Sequence, residues 1–267
     1  MPAAATGATA LRVFLTLTTV AAALIVLGTG FRLWSMLSSP LHQAAGGQLV
    51  APLDTNLEQN LPSWFSASLW LAAALLCWVC AFLAVRRTGQ WVVLGVFCLL
   101  FSADETASLH ERLLAPVGDA MLGADRSALL LFAWVVPGAI IAGVVGLCCW
   151  QLVRSLPVRQ RRAIFLSGAL FLSGALVMES VSGLVRSALG AESAAYILAA
   201  ALEETLEMLG VILFISTLIS LIHVRRVAGR TVLTLVTDDP IADDRGPRTA
   251  LPTHPRELPA DQQGLRP

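Results

Sequence analysis

Six long runs of apolar residues, separated by short polar or Arg-bearing stretches, set the pattern of this chain. They cover roughly Leu11–Leu37, Trp64–Val85, Trp91–Leu114, Ala128–Val153, Ala163–Val185 and Ala195–Val224. A helix that crosses a bilayer needs about 20 mostly apolar residues, because hydrocarbon offers no partner to backbone donors and acceptors. The pattern therefore predicts an all-α integral membrane protein, a six-helix transmembrane bundle occupying residues 1–230. The third run is apolar only as far as Phe101 and then turns polar, so hydropathy alone does not make it a span.

Arg placement supplies what hydropathy lacks. Arg86 and Arg87 lie between the second and third runs, Arg154, Arg159, Arg161 and Arg162 between the fourth and fifth, and Arg225, Arg226 and Arg230 after the sixth. Basic loops stay on the cytoplasmic side. Two such loops flank the third and fourth runs, so an even number of crossings separates them and the third run must cross. Both termini are then expected in the cytoplasm. The first run continues through Phe31, Leu33 and Trp34 without an A-x-A site, which favours a retained helix over a cleaved signal peptide. Residues 231–267 hold six of the 13 prolines together with Asp238, Asp239, Asp243 and Asp244, the composition of a disordered cytoplasmic tail.

Composition agrees with this picture. The chain is 56% hydrophobic and 13% charged, where soluble domains carry about 25% charged residues. Its partner is the lipid bilayer; a formal net charge of zero argues against nucleic acid. The expected location is a cell membrane, and the Arg-only basic set with Ala-rich helices suggests a bacterial inner membrane. The five cysteines, including the Cys77–Cys80 CxxC, read as small fillers of membrane helices. Gly138, Ala142 and Gly146 form a small-residue line for close packing of the fourth helix, with Gly168, Ser173 and Gly174 doing the same in the fifth. Pro137 is expected to kink the fourth helix.

The candidate chemistry lies in acids placed where apolar residues belong. The third run carries Asp104, Glu105, His110 and Glu111, the fifth Glu179, and the sixth Glu203, Glu204 and Glu207. Each ionised group near a helix centre costs about 2.5–3.5 kcal/mol on insertion scales, so something must compensate. At a rise of 1.5 Å per residue, Asp104 lies roughly 20 Å from the cytoplasmic boundary, Glu179 roughly 24 Å, and Glu203 and Glu207 roughly 12 and 18 Å below the outer one. Three helices thus bring carboxylates to one layer in the outer half. On a regular helix Asp104, Ser108 and Glu111 share a face, Glu203 and Glu207 another, and His110 points away from Asp104 unless the helix bends.

Three functions follow from such a layer. A divalent metal ion bound by these acids would make a membrane enzyme, although the Glu-x-x-His spacing of di-metal bundles is missing. A cation- or proton-coupled transporter would use the same acids as its binding site. A structural protein would pair them with Arg32, Arg112 and Arg186. Haem has too few membrane histidines to hold it, and an inverted 3+3 repeat rests only on the echo of Asp104-Glu105-Thr106 in Glu203-Glu204-Thr205.

Overall fold

A computed structural model describes residues 2–37, 51–54, 59–123, 132–227 and 230–237. Arg126, the expected start of the fourth span at 128–131 and the tail from residue 238 onward lie outside the described residues. The elements run α1 (Pro2–Leu37), a short 3₁₀ turn (Ala51–Leu53), α2 (Leu61–Leu83), α3 (Thr88–Ala107), α4 (Ala115–Leu122), α5 (Val135–Arg154), α6 (Val158–Leu172), α7 (Glu179–Leu189), α8 (Ala194–Leu221), β1 (Ile222–Val227) and β2 (Arg230–Leu235). Two wider, π-helical stretches lie at His110–Leu114 and Ser173–Met178. The second joins α6 to α7, so residues 158–189 form one span. With α1, α2, α3, α5 and α8 it gives, among the described residues, six helices long and apolar enough to cross a membrane.

Local chemistry sets the helix starts. Asn60 caps α2 by accepting the Ser63 backbone N–H at 3.1 Å, with Pro62 in the first turn where it removes no helical donor. Ser193 caps α8 by accepting the Tyr196 N–H at 3.2 Å. α8 is apolar on most of its surface, and such a helix belongs in the middle of a bundle. α1, α2, α6 and α7 all pack on it, burying Met208, Val211, Ile212, Ile215, Leu218 and Leu221.

The core extends to the Arg-rich end. There Trp91, Leu152 and Leu156 close on Cys77, Cys80, Leu218 and Leu221. Above them Trp70, Phe101 and Phe171 form a triangle of rings with centroids 4.7, 4.9 and 5.3 Å apart. Cys77, Cys80, Cys98 and Cys149 are buried free thiols; Cys148 is exposed.

Several expectations need correction. The third span is not one helix to Leu114: α3 ends at Ala107, and Ser108 adopts a left-handed backbone (φ 50°). The last helix stops at Leu221, and the chain turns back as an antiparallel hairpin pairing Ile222 with Leu235 and Val227 with Arg230. The fold is therefore helical with a small terminal sheet, and residues 231–235 are a strand rather than part of a featureless tail. Pro137 falls in the first turn of α5, where no intrahelical donor is lost and no kink is required.

The small-residue line of α5 also behaves differently from expectation. A Cβ on Gly143, Gly146 or Gly168 would meet nothing within 4 Å, so no helix approaches there. Close approaches are at Gly174 and Gly210. A Cβ on Gly210 would lie 2.7 Å from the Phe171 backbone nitrogen, and the Ser167 hydroxyl donates to the Gly210 carbonyl at 2.9 Å. α5 itself is buried only at Val135 and Pro137 and at Cys149, Leu152 and Val153, with its middle exposed.

Candidate functional site

The break at Ser108 builds one half of the site. Ending α3 there turns the chain so that the Asp104 carboxylate accepts the His110 backbone N–H at 2.6 Å and meets the His110 ring Nδ1 at 2.9 Å. Asp104 thereby caps the π-helical stretch that follows, satisfying a donor that a helix start would leave open. It also fixes the imidazole, whose other face lies against Trp134 with ring centroids 4.7 Å apart. The contact that a straight helix forbids is made by bending the helix at Ser108.

The second π-helical stretch builds the other half. Gly174 seats it against α8 so closely that a Cβ there would lie 2.6 Å from Glu207 Cγ and 2.8 Å from the Glu203 carbonyl oxygen. Only glycine leaves that room. Beyond it Glu179 opens α7, accepting a long hydrogen bond of 3.4 Å from the Trp134 indole N–H. Ser182, one turn on, donates to Glu203 at 2.8 Å.

Between these halves lies a cavity of about 660 Å³, within the size range of small-molecule sites. Asp104, Glu105, Glu111, Glu179, Glu203, Glu204 and Glu207 all line it, with His110 and Arg186 as the basic groups. Glu207 is part-buried and lines the cavity. The walls between the acids are apolar and aromatic, including Phe97, Phe101, Phe132, Trp134 and Phe171. Gly138 and Ala142 of α5 front the cavity, so small residues there make space instead of a helix contact.

The three arginines divide. Arg32 pairs with Asp54 and, at 2.9 Å, with Glu192, and takes no part in the carboxylate layer. Arg112 is exposed and does not line the cavity. Arg186 does line it, with its guanidinium 5.9 Å from the ring centres of both Phe132 and Tyr196. The expectation that arginines neutralise the acids thus fails for Arg32, because a buried loop carboxylate, Asp54, and an exposed one, Glu192, claim it first.

The donor set does not fit a metal ion. Among the described residues no three His, Cys, Asp or Glu side chains converge on a point that would hold one. The acids are strung along the cavity wall, and Asp104, Glu179 and Glu203 are each turned toward their own neighbour. Sequence patterns had not signalled Trp134, Ser182 or Tyr196, the first of which sits at the mouth of a span where interfacial tryptophans are common; Gly174, read as a packing position, does pack, against α8.

Comparison with curated proteins and with solved structures found no match. The sequence model of a domain of unknown function, DUF8692, matches residues 13–222, from within α1 to the first residue of the hairpin, and the chain belongs to that family.

Proposed function

We propose that this multi-pass membrane protein binds a small organic cation in the cavity, as the binding site of a cation-coupled carrier whose acids face the outer half of the membrane. The observation that carries this reading is the acid-rich cavity wall, where Asp104, Glu179, Glu203 and Glu207 come from three helices with Arg186 and His110 as the basic groups. Holding such acids ionised in a low-dielectric setting carries a cost. An ammonium group offsets it through several acids at once, and aromatic faces such as Phe101, Phe171 and Trp134 attract organic cations. The strung-out arrangement suits an extended ligand better than a point charge. The dense core from Trp91 to Leu221 closes the Arg-rich end, which corresponds to a carrier open to one side.

A ligand that binds only the folded state raises its stability by about 2.7 kcal/mol at 100 times its dissociation constant. Thermal unfolding of the detergent-purified protein in butylammonium chloride, against sodium chloride at equal ionic strength, therefore tests the reading. Stabilisation specific to butylammonium and lost in the Glu179→Gln, Glu207→Gln double variant is expected. Equal melting in the two salts overturns it.

One contact favours a second reading. Asp104 orients His110 as a carboxylate orients a general base, so a membrane enzyme acting on the bound ligand fits the same cavity. Turnover of an alkylammonium ester by the wild type, abolished by His110→Ala while butylammonium still binds, would select it.

A further inference from the structure

The cavity is not walled by protein on every side. Four of its lining residues are large, apolar and outward-exposed: Leu100 (52%), Leu113 (62%), Ile141 (36%) and Leu172 (37%). They come from α3, the π-helical stretch after it, α5 and α6, and all four line the same cavity. The middle of α5 is largely exposed, and Gly138 and Ala142 on it line the cavity. Leu100, Ile141 and Leu172 lie within spanning helices, so this side of the cavity faces lipid hydrocarbon rather than water.

A purely hydrophilic cation gains nothing from an apolar side door. A molecule with a charged head and a hydrocarbon tail uses both parts: the head reaches the acids while the tail stays in the hydrocarbon it never left. Resting on the organic-cation reading above, we infer that the ligand is a membrane amphiphile with an ammonium head, entering from the lipid phase between α3, α5 and α6. The head sits among Glu179, Glu203 and Glu207, and the tail leaves past Leu100, Leu113, Ile141 and Leu172. Lateral entry also explains why the apolar part of the wall is gathered on the α3–α5–α6 side, away from α1 and α2.

The test uses the full chain in nanodiscs of zwitterionic lipid with a dodecylammonium carrying a diazirine in its chain, mapped by mass spectrometry after illumination. Cross-links concentrated at the four mouth residues, reduced severalfold by excess unlabelled dodecylammonium but not by dodecanol, are expected. Cross-links spread equally over lipid-facing α1 residues such as Leu11, Leu15 and Val26 overturn the side entrance. If butylammonium still stabilises the protein in that case, the cation site stands alone; if it does not, both readings fall. The Leu113→Trp, Ile141→Trp double variant keeps the test open should the carboxylate variants misfold, because both positions are exposed. It is expected to cut mouth cross-linking severalfold, and unchanged cross-linking there would also overturn the side entrance.

Discussion

Replacing Gly174 by alanine probes the seat on which the site is built, and Gly168→Ala in the same span is its control. Alanine at either position gains about 1 kcal/mol of helix propensity over glycine. At Gly168 nothing lies within 4 Å of the new methyl, so that gain is kept. At Gly174 the methyl would meet Glu207 Cγ at 2.6 Å, the Glu203 carbonyl oxygen at 2.8 Å and the Glu207 nitrogen at 3.1 Å. The Glu207 side chain can swing into the cavity, but the other two contacts are α8 backbone. That backbone cannot recede freely, since Gly210 and Ser167 hold α8 against α6 one helical stretch away. Overpacking of this kind costs about 1–3 kcal/mol. The propensity terms cancel between the two variants, leaving the overpacking cost as their difference. For a chain of this size each kcal/mol moves the midpoint by about 2–4 °C, so Gly174→Ala should melt roughly 2–12 °C below Gly168→Ala by Trp fluorescence in detergent. Its butylammonium response should weaken as well, because Glu207 is displaced. Equal melting of the two variants would refute the close seat and the geometry drawn from it.

Other outcomes follow from the same geometry. Asp54 is buried and holds Arg32, so Asp54→Ala should destabilise the protein by about 1–3 kcal/mol, whereas Glu192→Gln should cost well under 1 kcal/mol because Glu192 is an exposed partner. Denaturant titration of the two variants side by side checks that asymmetry. Trp70→Ala removes the hub of the three-ring triangle and should cost about 3–5 kcal/mol in the same titration. With the acidic end outward, a cysteine replacing Glu192 labels in intact cells with a membrane-impermeant maleimide, since that side chain is 78% exposed; labelling only after permeabilisation reverses the orientation.

The spans were legible because hydropathy is a sum over some 20 residues and survives local exceptions. The carboxylate layer was legible for a related reason: an acid in hydrocarbon is costly enough to stand out singly. What escaped was decided by backbone torsion and by distant partners. Serine carries no signal for a left-handed turn as glycine or asparagine does, so the bend at Ser108 and the Asp104–His110 contact it creates were invisible. Arg32 finds Asp54 across a loop, a pairing no periodicity encodes. The hairpin was hidden by its neighbour: Ile222, Val224 and the Val232–Leu235 run have the β-branched and apolar residues of strands, but the first of them extend the apolar run of α8 and were read with it.

α5 is held at its two ends and bare along its middle, the mechanical situation of a beam pinned at both supports. Two glycines, Gly143 and Gly146, lie in its exposed length with nothing within 4 Å of an added Cβ, and glycine lowers the resistance of a helix to bending. Such a beam bows outward under load and springs back when the load is removed. The width of the cavity is then an elastic quantity, set by the stiffness of one helix more than by the shape of a fixed mould, and ligands of graded girth would be ranked by how far they make α5 bend.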